Sequence, residues 1–173
     1  MNNKSGFVLF IVLIFLQIFS LISLYSLTMI ESTMKSGNHL WQGYIFRQKS
    51  ESFLHKLENS VLQNKKCIIP VTAAIVLKNK TMQWWQLNTC HDNVNEIQYY
   101  FVVEALGEDD CSIMDLQKTT AQYYRITLSA KSRQFDGSRY ILQSTIAEPS
   151  SNIANCDIKP HLVKQGRQSW REL

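Results

Sequence analysis

Four cysteines, Cys67, Cys90, Cys111 and Cys156, are the residues of this 173-residue chain best suited to covalent chemistry. Zinc ligand pairs sit about two to four residues apart, whereas the nearest pair here is Cys90 and Cys111. All four lie beyond a long hydrophobic segment. An even number on one side of such a segment points to disulfides made in an oxidising compartment, with buried free thiols and a metal site as the alternatives. The histidines, His39, His55, His91 and His161, show no metal-binding spacing. His91 stands beside Cys90 and Asp92, but neighbours on a strand point to opposite faces and make no nucleophile pair. Glu108, Asp109 and Asp110, with Asp115 close by, follow Gly107. Oxygen-rich loops suit calcium, but the EF-hand spacing is missing, so these four acids are a weak calcium candidate set against a solvated turn. The chain has no Gly-x-Ser-x-Gly elbow, phosphate loop or dinucleotide fingerprint. The expectation is a non-enzyme with no cofactor and no metal.

The elements that carry these residues begin with an apolar run. From Phe7 to Ile30 there is no charged side chain, and at about 1.5 Å per residue such a helix reaches roughly 36 Å, enough for a bilayer core of about 30 Å. A secretory signal would be shorter and end in an Ala-x-Ala-like site, yet this run contains no alanine. Lys4 opposes Lys35, Arg47 and Lys49 across it, so charge bias sets no orientation, and the cysteines place the C-terminal part outside the cytoplasm. A formal net charge of +4 is too small for a dedicated nucleic-acid site, which shows a dense basic patch.

The sequence Met-Asn-Asn-Lys-Ser-Gly-Phe, a short basic leader meeting the apolar run at Gly6-Phe7, resembles the prepilin leader of type IV pilins and type II secretion pseudopilins. The resemblance implies that a prepilin peptidase cuts between Gly6 and Phe7 and that Phe7 is then N-methylated. Most members have a glutamate as the fifth residue after the cut, where it docks on a neighbour's N-terminal amine. Here that residue is Ile11, which favours the minor pilins that lack the glutamate: the type II tip subunit and the PilX group.

After the span, Ile30, Met34, Trp41, Ile45, Phe53, Leu57 and Val61 recur mostly at three-, four- or seven-residue spacing, one stripe on an extended helix. The expected helix runs from about residue 7 to 64, with Gly37 and Gly43 as weak points. A coiled-coil stalk is the alternative, but residues 47–52 interrupt its heptads. Residues 98–106 put Tyr99, Phe101, Val103 and Ala105 on one face, and Tyr124, Ile126, Leu128 and Ala130 alternate with polar neighbours. A third strand follows from about Arg139 to Ala147, after an Asp136-Gly137 hairpin signal. The strands carrying Tyr-Arg-Ile-Thr at 124–127 and Leu-Gln-Ser-Thr at 142–145 resemble the C-terminal half of PilX-type minor pilins. Ile68-Ile69-Pro70 and residues 73–77 read as strand, Trp84-Trp85 as core residues rather than a binding platform, and the tail as loosely ordered.

The expected fold class is α+β and type IV pilin-like: a long hydrophobic, then amphipathic, N-terminal helix packed on a small antiparallel sheet. Its divisions are a leader 1–6, a membrane or filament-core half-helix 7–30, an amphipathic half 31–64, a head 65–156 and a polar tail 157–173. Four cysteines allow three pairings. Topology favours Cys67 with Cys90, because the Trp84-Trp85 segment must return toward the helix end, and Cys111 with Cys156, which flank the outer strands. The resemblance implies a minor pilin that primes or caps a type IV pilus serving adhesion, twitching motility or DNA uptake. Its partners would be other minor pilins, the major pilin, a PilY-type tip adhesin and the prepilin peptidase. It would sit in the inner membrane by one span, head in the periplasm, then at the pilus tip. A type II secretion minor pseudopilin and a single-span periplasmic sensor or adaptor are the alternatives.

Overall fold

The structure, a computed structural model, describes residues 5–60, 67–114, 119–133, 139–153, 156 and 159–173, with the side chains of 5–7 and 153 left aside. The chain divides into two units, Met1–Ile45 and Phe46–Leu173. One helix, α1 (Ser5–Asn59), contributes to both.

In the first unit α1 holds the apolar run, and Val8 to Ile30 is exposed throughout. It is the one described helix long and apolar enough to cross a membrane. Three of its hydroxyls are satisfied locally: Ser26, Thr28 and Thr33 donate to carbonyls three or four residues back. That removes the cost of bare hydroxyls on an apolar surface. The helix passes Gly37 and Gly43 without a break.

In the second unit α1 ends at Asn59, short of the expected 64; residues 61–66 lie outside those described. The strands are β1 (Ile68–Ile69), β2 (Cys90–Val94), β3 (Ile97–Met114), β4 (Thr119–Ser132), β5 (Arg139–Ile153), β6 (His161–Val163) and β7 (Gly166–Glu172). The spine of the sheet is β1-β3-β4-β5-β7, and β2 and β6 also pair with β3. The long strands are antiparallel, but β1 and β6 run parallel to β3, so the sheet is mixed rather than antiparallel throughout. A two-residue turn with Asn95 at φ 56° joins β2 to β3, as asparagine's tolerance of left-handed backbone allows. Gly107 at φ 112° sits where β3 shifts register against β4, a bulge that a side chain would oppose. Asp136-Gly137 lies outside the described residues, although β4 and β5 pair up to Lys131 and Arg139.

Period-two alternation sorts the core. Tyr99, Phe101 and Val103 of β3 share a buried cluster with Ile126, Leu128 and Ala130 of β4, Leu142 and Ile146 of β5, and Phe46, Phe53, Leu54 and Leu57 of α1. Phe53 stacks on Tyr99 with centroids 4.1 Å apart and meets Phe101 edge-on. Two expectations fail in detail. The packed helix face runs through Phe46 rather than Ile45 and includes Ser50, wholly buried, whose hydroxyl bonds Phe46 O at 2.9 Å. Ala105 is exposed beside the bulge.

The other sheet face has its own small core. Residues 73–77 are not a strand: α2 (Ala74–Lys78) and α3 (Met82–Asn88) pack Leu77 and Trp85 onto Tyr100 and Val102. Thr81 starts α3 by accepting from Trp84 N–H, an N-cap. Trp85 is buried as expected, and Trp84 is partly buried beside it.

The described part of the tail, from residue 159, is ordered rather than loose. Val163 of β6 is buried with Met114, Ala121 and Ala147, and β7 pairs with β5 from Leu142–Glu172 to Ala147–Gly166. Its composition hid this, because β7 buries no apolar side chain and is held through its backbone and its charged ends.

Candidate functional site

Gly6 and Phe7 lie in the first turn of α1, which has no acidic residue. The leader residues Met1–Lys4 are outside those described. Ile11 is exposed within the apolar run.

Both disulfides form, Cys67–Cys90 with Cα atoms 5.5 Å apart and Cys111–Cys156 with Cα atoms 4.8 Å apart. These are the pairs favoured by the topological argument. The first ties the segment after α1 to the start of β2, and the second ties β3 to the chain that leads into β6. No cysteine is left free, which removes Cys90 and His91 from nucleophilic chemistry.

The acids after Gly107 are part of strand β3, and protein donors occupy two of them. Glu108 accepts from Thr120 Oγ1 and from Asn152 Nδ2, the latter at 2.8 Å; hydrogen bonds, led by that of Ser150, hold its carboxyl below the usual range. Asp109 accepts from Ser112 Oγ at 2.5 Å and Cys111 N–H at 3.0 Å, and these bonds lower its pKa. Among the described residues no three acids, histidines or cysteines gather as a metal site. Asp115 lies outside them.

The parallel pairing of β6 with β3 creates a constellation that sequence reasoning missed. Ser112 and His161 are register partners, and Ser112 Oγ lies 2.9 Å from His161 Nε2, 2.5 Å from Asp109 and 3.0 Å from Tyr123 Oη. A serine, a histidine and an aspartate resemble a hydrolytic triad in composition only. A triad aspartate holds the far ring nitrogen while the serine faces Nε2, but here Asp109 approaches that same Nε2, at 3.9 Å. The one serine proton goes to Asp109, so Oγ accepts from Tyr123 and His161 and its capacity is filled. Ser112 is also fully buried. The cluster is a polar strap that links β3, β4 and β6 next to Cys111.

Two buried carboxylates are likewise used structurally. Glu104, fully buried, receives Arg125 at 2.7 and 2.8 Å and Thr72 N–H at 2.6 Å. Glu58 near the end of α1 is gripped by Arg167 of β7 at 2.8 and 2.9 Å, with His55 Nδ1 at 3.1 Å. Burial pushes the Glu58 carboxyl up, but hydrogen bonds led by Arg167's outweigh it and the pKa is lowered. With donors committed on both, neither acid is poised for proton transfer.

Comparison with protein-family models, with curated proteins and with solved structures finds no match.

Proposed function

We propose that this chain is a minor pilin: a membrane-anchored subunit that is cut between Gly6 and Phe7, methylated on Phe7, and used to prime or cap a type IV pilus. The observation that carries the reading is the junction Gly6-Phe7 at the head of a single helix, Ser5–Asn59. The apolar part of that helix has the length of a membrane span, and its last turns pack on one face of a sheet. A pilin needs this division, one half for the bilayer or filament core and one half for the head. Two disulfides support a periplasmic head on an inner-membrane anchor. Its partners on this reading are the other minor pilins, the major pilin, a PilY-type tip adhesin and the prepilin peptidase, and its activity is assembly rather than catalysis.

On this reading Ile11 in place of a carboxylate supports a seat at the filament end, because it cannot neutralise the amine of a subunit already seated. Immunogold labelling of the head in sheared filaments tests this, with grains expected at one tip. Grains spread along the shaft would contradict it. A type II secretion minor pseudopilin shares the missing glutamate and stands as the second reading; pilus counts against secretion of a reporter in a deletion strain separate the two.

A further inference from the structure

The β2 side of α1 is bordered by a groove that no part of the proposed assembly role uses. Two adjoining cavities, about 270 and 280 Å³, share Phe53 and Lys56. Tyr99 and Phe101 lie on their sheet side, Lys49 and Lys56 on the helix wall, and Val94 and Asn95 at the hairpin. The surface of the first is mainly apolar, floored by the stacked rings of Phe53 and Tyr99. Beside it runs β2, which pairs with β3 alone, so its second edge carries no strand among the described residues. Four of its five residues are exposed.

We propose that this groove docks an extended, acidic segment of another protein, which adds as a strand along the edge of β2 that no described strand occupies and sets its carboxylates against Lys49 and Lys56. The occupant follows from charge and geometry. Lys49 and Lys56 are two helical turns apart, about 10.5 Å along the axis. Carboxylates two or four residues apart on one face of a strand, about 7 or 13 Å, bracket that distance within reach of lysine side chains. At the four-residue spacing the residue midway between them shares their face, and an apolar one there meets the Phe53–Tyr99 pair. Strand addition supplies main-chain hydrogen bonds, while the groove and its lysines select side chains. The acid on the lining, Asp92, accepts from Asn93 N–H at 2.8 Å and borders only the second cavity, so the segment's carboxylates belong along the first cavity, which both lysines line. The proposal stands independently of the pilin reading.

The test uses the full chain in nanodiscs and a fluorescent peptide repeating Glu-Thr-Phe-Thr, so that glutamates four residues apart and the phenylalanine between them share one strand face. Two control peptides carry lysine for glutamate, or N-methyl groups on alternate backbone amides. The acidic peptide is expected to bind, more weakly as salt is raised. Lys49→Glu with Lys56→Glu should weaken it about tenfold or more, and both control peptides should fail. Both lysines are exposed, so the variant should keep its fold, which circular dichroism checks. Absence of binding, equal binding to the variant, or equal binding of the lysine peptide would overturn the proposal. Equal binding of the N-methylated peptide would exclude strand addition. Self-association of the chain removed by the same two changes would make the occupant a second copy instead.

Discussion

Replacing Arg167 by alanine removes a link that fastens the β7 edge to the buried Glu58 of α1. The Glu58 side chain is only 5% exposed, whereas that of Arg167 is 39% exposed. Breaking a fully buried pair costs about 3 to 5 kcal/mol and an exposed pair at most about 1. This pair lies between, because water reaches the arginine and His55 stays on the carboxylate. The expected loss is about 2 kcal/mol, a large share of the 5 to 15 typical of a domain. With a urea slope of about 2 kcal/mol per molar, the midpoint falls by about 1 M. Intrinsic tryptophan fluorescence of the full chain in detergent follows the transition, and hydrogen exchange should show the β7 amides opening first. The pH dependence has a definite sign. The folded-state pKa of Glu58 is depressed below 4.5, so its stabilisation is present above the unfolded pKa and is lost as pH falls through the folded value. Without Arg167 the first of the influences that lower it is lost, so the pKa rises and the carboxyl takes a proton at higher pH. The gap between parent and variant therefore narrows on acidification. Glu58→Gln in the Arg167→Ala background should cost less than it does alone, since it removes an uncompensated charge. A variant within about 0.5 kcal/mol of the parent, as for an ordinary surface change, or strict additivity of the two substitutions, would refute the reasoning.

Phe53→Ala should destabilise the head by about 3 to 5 kcal/mol, read by the same urea titration, because it empties the space between α1 and Tyr99 and Phe101. Cys111→Ser should lower the steady-state amount of protein; closing a loop with sequence separation 45 is worth at most about 4 kcal/mol by chain entropy. Non-reducing peptide mapping should recover only Cys67 joined to Cys90 from that variant. Ile11→Glu should leave the chain in the carbonate-resistant membrane fraction, since insertion charges only about 2.5 to 3.5 kcal/mol for an acid at mid-helix.

Much of this architecture is written in local pattern, and the parts that are not have physical reasons. The uncharged run from Phe7 to Ile30 specifies its helix directly, and alternation in β3 and β4 put Tyr99, Phe101, Ile126 and Leu128 on the face that α1 covers. The helix stripe was offset because exposed apolar residues such as Met34 and Trp41 drew it through Ile45. Ser50 looked like an interruption, yet a hydroxyl that bonds the carbonyl four residues back is readily buried. In α2 the β-branched Ile75 and Val76 argued for a strand, but both are exposed and Leu77 alone fixes the packing, so tertiary context overrode propensity. The strand β7 has no apolar alternation at all. Its place depends on Arg167 with Glu58 and Glu172 with Arg47 at 3.0 Å, contacts across more than a hundred residues that leave no local trace. The Asp109–Ser112–His161 strap is equally non-local, made only when β6 pairs with β3. The cysteine pairing was legible because it follows from strand order rather than from side-chain detail.

The mature N-terminus tests the minor-pilin assignment most directly. The full chain, extracted from membranes of cells with and without an active prepilin peptidase, is to be measured by intact-mass and N-terminal peptide spectrometry. With the peptidase the chain should lack Met1 to Gly6 and begin at Phe7 bearing one added N-methyl group; without it the leader should remain. A chain that keeps Met1 to Gly6 in assembled filaments or in peptidase-positive membranes, or that is cut elsewhere in the apolar run, would contradict the assignment.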